Sequence, residues 1–235
     1  MAVTEHSVTF AGSATPCPGT GLFSFSRPPG YAHTPGQYLS LTLDTREGTQ
    51  TKDFSHCDAP TDPQIQILTR MTGSAFKDAL AALVPGQFGK IGGPFGRLVV
   101  PDGVDKVAFL VGGVGITPMR SILRDAVQRS TGITALVFDG NLDDTCIPMR
   151  EEFDAWEAGH PSIRFVHVLE RPSPEWAGER GFIGPDTVRR HCDPRDGWHW
   201  FVSGPPAMVD AMGGVLDALG VDRSHASFES FAGYR

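Results

Sequence analysis

The residues best placed to do chemistry sit in one stretch, Val107-Ala-Phe-Leu-Val-Gly-Gly-Val-Gly-Ile-Thr-Pro-Met-Arg-Ser-Ile-Leu123. Gly112, Gly113 and Gly115 let the backbone turn sharply and approach a ligand closely. Thr117 then precedes Pro118, a hydroxyl suited to an N-cap followed by the residue best tolerated at the first helical position. Free amides and the positive dipole end of such a helix favour an anion, above all a pyrophosphate. A second start of this kind lies at Gly73-Ser-Ala75, where Ser74 is the expected N-cap of a helix over 75–83. A third feature is Phe138-Asp-Gly-Asn141, which ends an apolar run. A carboxylate at a strand end, here Asp139, accepts from a ribose 2′-hydroxyl and repels a 2′-phosphate.

These groups need elements to hold them. Val107–Val111 is a five-residue apolar run without alternation, which reads as a strand buried on both faces. From about residue 102 onwards strands and helices alternate, with helices expected over 118–128, 149–158, 185–190 and 207–219. That series is a βαβ pattern and predicts a parallel, doubly wound sheet. Before it, short strand patterns recur between Gly/Pro corners such as Arg27-Pro-Pro-Gly30. Gln37-Tyr-Leu-Ser-Leu-Thr-Leu43 alternates as a half-buried antiparallel strand does. Several such strands, the last over 97–100, with one helix predict an antiparallel β-barrel. The fold class is therefore β followed by α/β, with domains over 1–101 and 102–235, and two ligands meeting where the domains adjoin.

Composition narrows the partners. A 235-residue chain with 40% hydrophobic and 20% charged residues is an ordinary globular protein, long enough for two domains. Its formal charge of -7 argues against nucleic acid and anionic membranes. No apolar run approaches the roughly 20 residues of a membrane span. Nor does MAVTEHSVTF resemble a signal peptide, so a cytoplasmic location is expected. Cys17, Cys57, Cys146 and Cys192 are scattered without zinc or iron–sulfur spacing and read as reduced thiols, so no metal site is assigned. The eight histidines are given no chemistry, with His56 read as an exposed loop residue.

The order of these motifs resembles the ferredoxin–NADP reductase family of flavoprotein reductases, and the likeness spans essentially the whole chain. Lys52-Asp-Phe-Ser55 stands where that family has Arg-x-Tyr-Ser/Thr. The resemblance implies that Phe54 stacks on a flavin, Lys52 and its neighbour Asp53 lie at its phosphate end, and the Ser55 hydroxyl approaches flavin N5. Phe54 lacks the phenol hydroxyl and Lys52 the bidentate fork, which predicts flavin binding weaker by roughly tenfold. Thr69-Arg-Met-Thr-Gly-Ser-Ala75 then implies Thr69, Arg70 and Met71 beside the ribose and adenine, with Gly73, Ser74 and Ala75 at the FAD pyrophosphate. The Gly112–Pro118 turn would hold the nicotinamide dinucleotide. Val202-Ser-Gly-Pro-Pro206 resembles the family's Cys-Gly-Pro-Pro turn, with Ser203 in place of Cys and Gly204 and Pro205 beside the nicotinamide. Near the C-terminus, Glu229 is the implied proton relay, and Phe231 or Tyr234 would cover the flavin.

The function this implies is hydride transfer from NADH or NADPH to FAD. Electrons would then pass to a separate acceptor such as ferredoxin, flavodoxin, an oxygenase or a free oxidant. Asp139, and Asn141-Leu142 where many relatives have Asn-Arg, lean towards NADH; Arg120 and Arg150 are alternatives for meeting a 2′-phosphate. Two rival readings are an FAD-binding scaffold without turnover and a nucleotide sensor that binds no flavin.

Overall fold

The computed structural model describes residues 4–231. It divides into two compact units, residues 1–99 with 117–125, and residues 100–116 with 126–235.

The first unit is a curled antiparallel sheet of six strands. They are β1 (Glu5–Ala14), β2 (Thr20–Ser26), β3 (Tyr38–Thr45), β4 (Gly48–Ser55), β5 (Gln64–Arg70) and β6 (Phe88–Phe95), in the order β4-β3-β6-β1-β2-β5. Alternation sets the inner face: Leu39, Leu41 and Leu43 of β3 point inward with Phe10, Phe25, Ile65 and Ile67. Helix α1 (Ala75–Ala81) closes this core with Phe76 and Leu80. The strand expected over 97–100 does not form, because Gly96 turns the chain at φ +92°. The Leu98 carbonyl then packs against Gly36, where a Cβ would lie 1.9 Å from its oxygen. Cys57 is a buried free thiol, but Cys17 is disulfide-bonded, contrary to the expectation of reduced cysteines.

The second unit is a six-stranded parallel sheet. Its strands are β7 (Lys106–Gly112), β8 (Thr134–Asn141), β9 (Ile163–Leu169), β10 (Glu179–Arg180), β11 (His199–Gly204) and β12 (Ala226–Ser230), ordered β10-β9-β8-β7-β11-β12. Six of the seven β7 residues are buried, as the unbroken apolar run requires. Helices α3 (Arg150–Gly159), α4 (Pro185–His191) and α5 (Pro206–Ala218) belong to this unit. Helix α2 (Thr117–Arg129) starts in the first unit and ends in the second. One core layer joins Leu110, Phe138, Val168 and Val202 of the strands to Val188 of α4 and Leu216 of α5. Cys192 is a free thiol and Cys146 is disulfide-bonded. Among the described residues no helix is long and apolar enough to cross a membrane.

Candidate functional site

In the first unit the expected flavin residues gather at the ends of β4 and β5 and the start of α1. The β3–β4 register pairs Lys52 with Leu41 and Phe54 with Leu39, so Lys52 and Phe54 share the inward face of β4. Lys52 and Asp53 are exposed, while Phe54 and Ser55 are buried. The Phe54 ring packs on Phe76, with centroids 5.8 Å apart. Lys77, which the sequence did not single out, covers it with an ammonium 4.4 Å from the ring centroid. That ammonium also donates to the hydroxyl of Thr69, itself wholly buried. Burial first, and then the neighbouring Lys52 charge, push the Lys77 pKa down to about 8.

Ser74 caps α1 as expected, its hydroxyl accepting from the Lys77 amide at 3.4 Å. Gly73 holds φ +70° with open space where a Cβ would stand. Arg70 is exposed and Met71 half-buried. Two ammoniums of like charge, neither ion-paired among the described residues, beside a capped turn and an aromatic ring form a donor set suited to a phosphate group. These residues fit the phosphate end of FAD. Lys77 had no sequence signal beyond its place three residues after the cap.

Directly after Ser55 comes a buried polar cluster. His56 is fully buried, not exposed. The Tyr31 hydroxyl donates to His56 Nε2 at 2.9 Å, and His56 Nδ1 donates to Asp58 at 3.1 Å. Arg27 and the Gln66 amide complete the Asp58 carboxylate. His33 stacks on His56 with ring centroids 3.7 Å apart. Burial, and next the His56 beside it, hold the His33 pKa down at about 3, and burial lifts Tyr31 well above the usual phenol value. For Asp58, burial opposes ionisation, but hydrogen bonding and charge from His56 outweigh it and the pKa falls. Ligand atoms of His33, His56 and Asp58 lie within 4.8 Å of one another. Even so, His56 and Asp58 are already fully engaged, and two imidazoles stacked face to face do not converge their in-plane lone pairs on one ion. Arg120 and Ser121 of α2 donate to the carbonyls of Cys57 and Asp58 in the same loop. Arg120 is thus committed to this loop.

In the second unit the glycine turn leaves β7 as a 3₁₀ turn over Gly113–Ile116. Gly113 adopts φ +53°, and a Cβ on Gly115 would lie 2.4 Å from the Ser203 carbonyl oxygen. The N-cap of α2 is Ile116, with no side-chain cap bond, and Thr117 lies within the helix. This corrects the capping role expected of Thr117. The 3₁₀ turn brings the chain in already helical, so the cap falls one residue early. With Pro118 in the first turn and no cap bond from the Ile116 side chain, this start suits an anion.

Ser203 is buried, and its hydroxyl donates to the Gly115 carbonyl at 2.6 Å. Pro205 is the N-cap of α5. Strand β12 pairs Ser203 with Glu229 and Gly204 with Ser230, and the Phe231 amide donates to the Gly204 carbonyl at 2.9 Å. Four expected residues, Ser203, Gly204, Glu229 and Phe231, are therefore adjacent, whereas Tyr234 lies outside the described residues. At the end of β8 Asp139 is wholly buried, and its Oδ2 accepts from Asn141 Nδ2 at 2.8 Å and from His167 Nδ1 at 3.0 Å. His167, paired with Asp139 across β8 and β9, was also missed from sequence.

Residues 109–213 match the family described as the oxidoreductase NAD-binding domain. The chain is 29% identical over 221 residues to ferredoxin–NADP reductase B of Sorangium cellulosum, covering 88% of this chain and 90% of that protein. It is 30% identical over 219 residues to NADH-cytochrome b5 reductase 1 of Ajellomyces capsulatus, covering 86% of this chain and 69% of that one. Among solved structures, a cytochrome P450 reductase from Amycolatopsis superposes with a TM-score of 0.85 at 23% identity, over 97% of this chain and 70% of that chain.

Proposed function

This chain belongs to the ferredoxin–NADP reductase-like family of flavoprotein reductases, and on that premise we propose how its residues divide the work of an FAD- and NAD(P)H-dependent oxidoreductase. The observation that carries the reading is the pair of ammoniums, Lys52 and Lys77, set beside Phe54, Thr69 and the Ser74 cap, with no carboxylate paired to either among the described residues. When bound there, FAD supplies the step from two-electron hydride acceptance to electron delivery, chemistry that no side chain provides. Lys52 and Lys77 hold the phosphates, the Gly73–Ala75 turn offers amides, and Phe54, buried against Phe76, supports the Lys77 ammonium that covers it rather than stacking on the flavin. Ser55 presents a hydroxyl at the strand end, on a backbone held by the His56 amide's bond to the Gln37 carbonyl at 2.9 Å.

The nicotinamide dinucleotide is assigned to the Gly112–Pro118 turn. Ser203 fixes the end of β11 against that turn, and Gly204 and Pro205 shape the floor on which a nicotinamide lies. Glu229, opposite Ser203, is the acid–base group at that end. NADH is the proposed reductant, because a buried carboxylate stands at the end of β8 and Leu142 offers no charge to a 2′-phosphate. The electron acceptor is proposed to be a separate protein, in keeping with the ferredoxin in the name of the Sorangium relative.

The reading is tested by loading the purified chain with FAD, removing free flavin, and following NADH oxidation with an artificial one-electron acceptor. FAD retention with NADH-dependent acceptor reduction supports it. Retention of FAD without turnover would favour a scaffold instead.

A further inference from the structure

One face of the first half of helix α2 is polar where it meets the barrel. Thr117, Arg120, Ser121 and Arg124 fall at the three- and four-residue spacing that places side chains on a common helix face. Arg120 is 5% exposed and Ser121 is wholly buried, as are the neighbouring Met119 and Leu123. Apolar residues would fill these positions without the cost of drying a guanidinium and a hydroxyl.

Three of the four are spent on one short loop, the one that follows Ser55. Arg120 donates to the Cys57 carbonyl and, at 3.1 Å, to Gln66 Oε1 on β5. The Ser121 hydroxyl donates to the Asp58 carbonyl at 2.6 Å. One turn further on, Arg124 grips the Asp62 carboxylate with two bonds, of 2.6 and 3.1 Å. Asp62 Oδ2 also accepts from the Ala59 amide at 2.8 Å, so the far end of the loop is drawn into the same contact. This part of the helix and the loop both belong to the first unit. Hydrogen bonds are directional, and a buried set of them fixes the loop at one position along the helix, which apolar packing would not.

The two elements joined in this way are the ones assigned to two different ligands. The start of α2 is the proposed seat of the nicotinamide dinucleotide's pyrophosphate. Cys57 and Asp58 follow Ser55, the hydroxyl proposed for the flavin, by only two and three residues. Given that placement of the ligands, we infer that Arg120, Ser121 and Arg124 are positioning residues that couple the two sites, each ligand strengthening the binding of the other. An anion on the leading amides of α2 steadies its first turn, and the three side chains pass that order to the loop behind Ser55. The strand end is then set before flavin arrives, and the effect is the same in reverse, because coupling between two bound ligands is reciprocal.

The test is release of FAD from the FAD-loaded protein on dilution, read by flavin fluorescence with and without saturating NAD⁺ or NADP⁺, neither of which can reduce the flavin. In wild type the FAD dissociation constant is expected to fall by about fivefold or more when nucleotide is present. Arg120→Met, Ser121→Ala and Arg124→Met should each bring that ratio to within about twofold of one. Arg120→Lys, which keeps a donor on a similar stem, should recover part of it. A merely structural role would weaken FAD binding in both arms alike and leave the ratio in place. A ratio near one in wild type with both ligands bound would overturn the inference, and so would a ratio that survives in all three variants. Should Arg120→Met not fold, Ser121→Ala decides, since it removes a single hydroxyl. A wild type that holds no FAD, or binds neither nucleotide, would remove the proposed sites and the coupling together. One that shows the ratio but leaves its flavin oxidised with NADH and NADPH would remove only the reductase reading.

Discussion

The ammonium of Lys77 sits 4.4 Å from the centre of the Phe54 ring, a cation over an aromatic face in a mostly buried setting. Its other partner is the Thr69 hydroxyl, and the nearby charge of Lys52 opposes its own. A phosphate arriving here would relieve that repulsion and be gripped by two cations. Lys77→Met should therefore weaken FAD binding by about 10–100-fold, read by flavin fluorescence after dilution.

The same pair predicts a pH dependence. The Lys77 pKa is lowered to about 8, by burial first and Lys52 second, and an anionic ligand favours the protonated form. FAD affinity should be full below that value and fall as pH rises through it. In Lys77→Met this step should be absent. A wild-type affinity that is flat from pH 7 to pH 10 would count against Lys77 as a phosphate ligand.

In the barrel loop, burial holds the His33 pKa near 3, so it binds no proton in the folded state over a range where the unfolded chain does. The unfolded form takes up a proton as pH falls below about 6.5. Stability is thus present above that value and is lost progressively as pH falls towards 3, by ~2–4 kcal/mol. Asp58, whose pKa is also lowered, adds a loss of the same sign at the acid end. Melting temperature against pH should fall steeply for wild type and less so for His33→Gln.

Gly115→Ala addresses the nucleotide turn. The added methyl would lie 2.4 Å from the Ser203 carbonyl oxygen and 2.9 Å from Gly204 Cα, both backbone atoms that cannot swing aside. Displacing them should cost ~2–3 kcal/mol. The variant is expected to retain FAD while losing its response to NADH, because the residues proposed to hold the flavin belong to the other unit. Ser203→Ala removes only the 2.6 Å bond to the Gly115 carbonyl and should cost ~1 kcal/mol, with slower flavin reduction.

Much of the scaffold was legible because local rules decide it. The apolar run at Val107–Val111 has one comfortable setting, a strand covered on both faces, and the alternation in β3 fixes which side meets the core. Ser74 followed a rule that depends only on the next turn of chain. Thr117 did not, since the 3₁₀ turn before it was invisible in composition. The residues missed at the site share another cause. Lys77 reads as a polar helix position until Phe54 is folded beneath it. His33, His56 and Asp58 lie close in sequence but become a buried cluster only once Tyr31, Arg27 and Gln66 are brought in to satisfy them. His167 has no meaning until β9 is paired with β8. Long-range pairing, rather than local propensity, decides such groups.

Hydride transfer from a nicotinamide nucleotide to FAD is the step proposed for this chain. Anaerobic stopped-flow spectroscopy tests it most directly, mixing the FAD-loaded protein with NADH and, separately, with NADPH. The oxidised flavin band is expected to bleach within seconds of adding NADH, and more slowly or incompletely with NADPH. A band that stays oxidised with both nucleotides would contradict it.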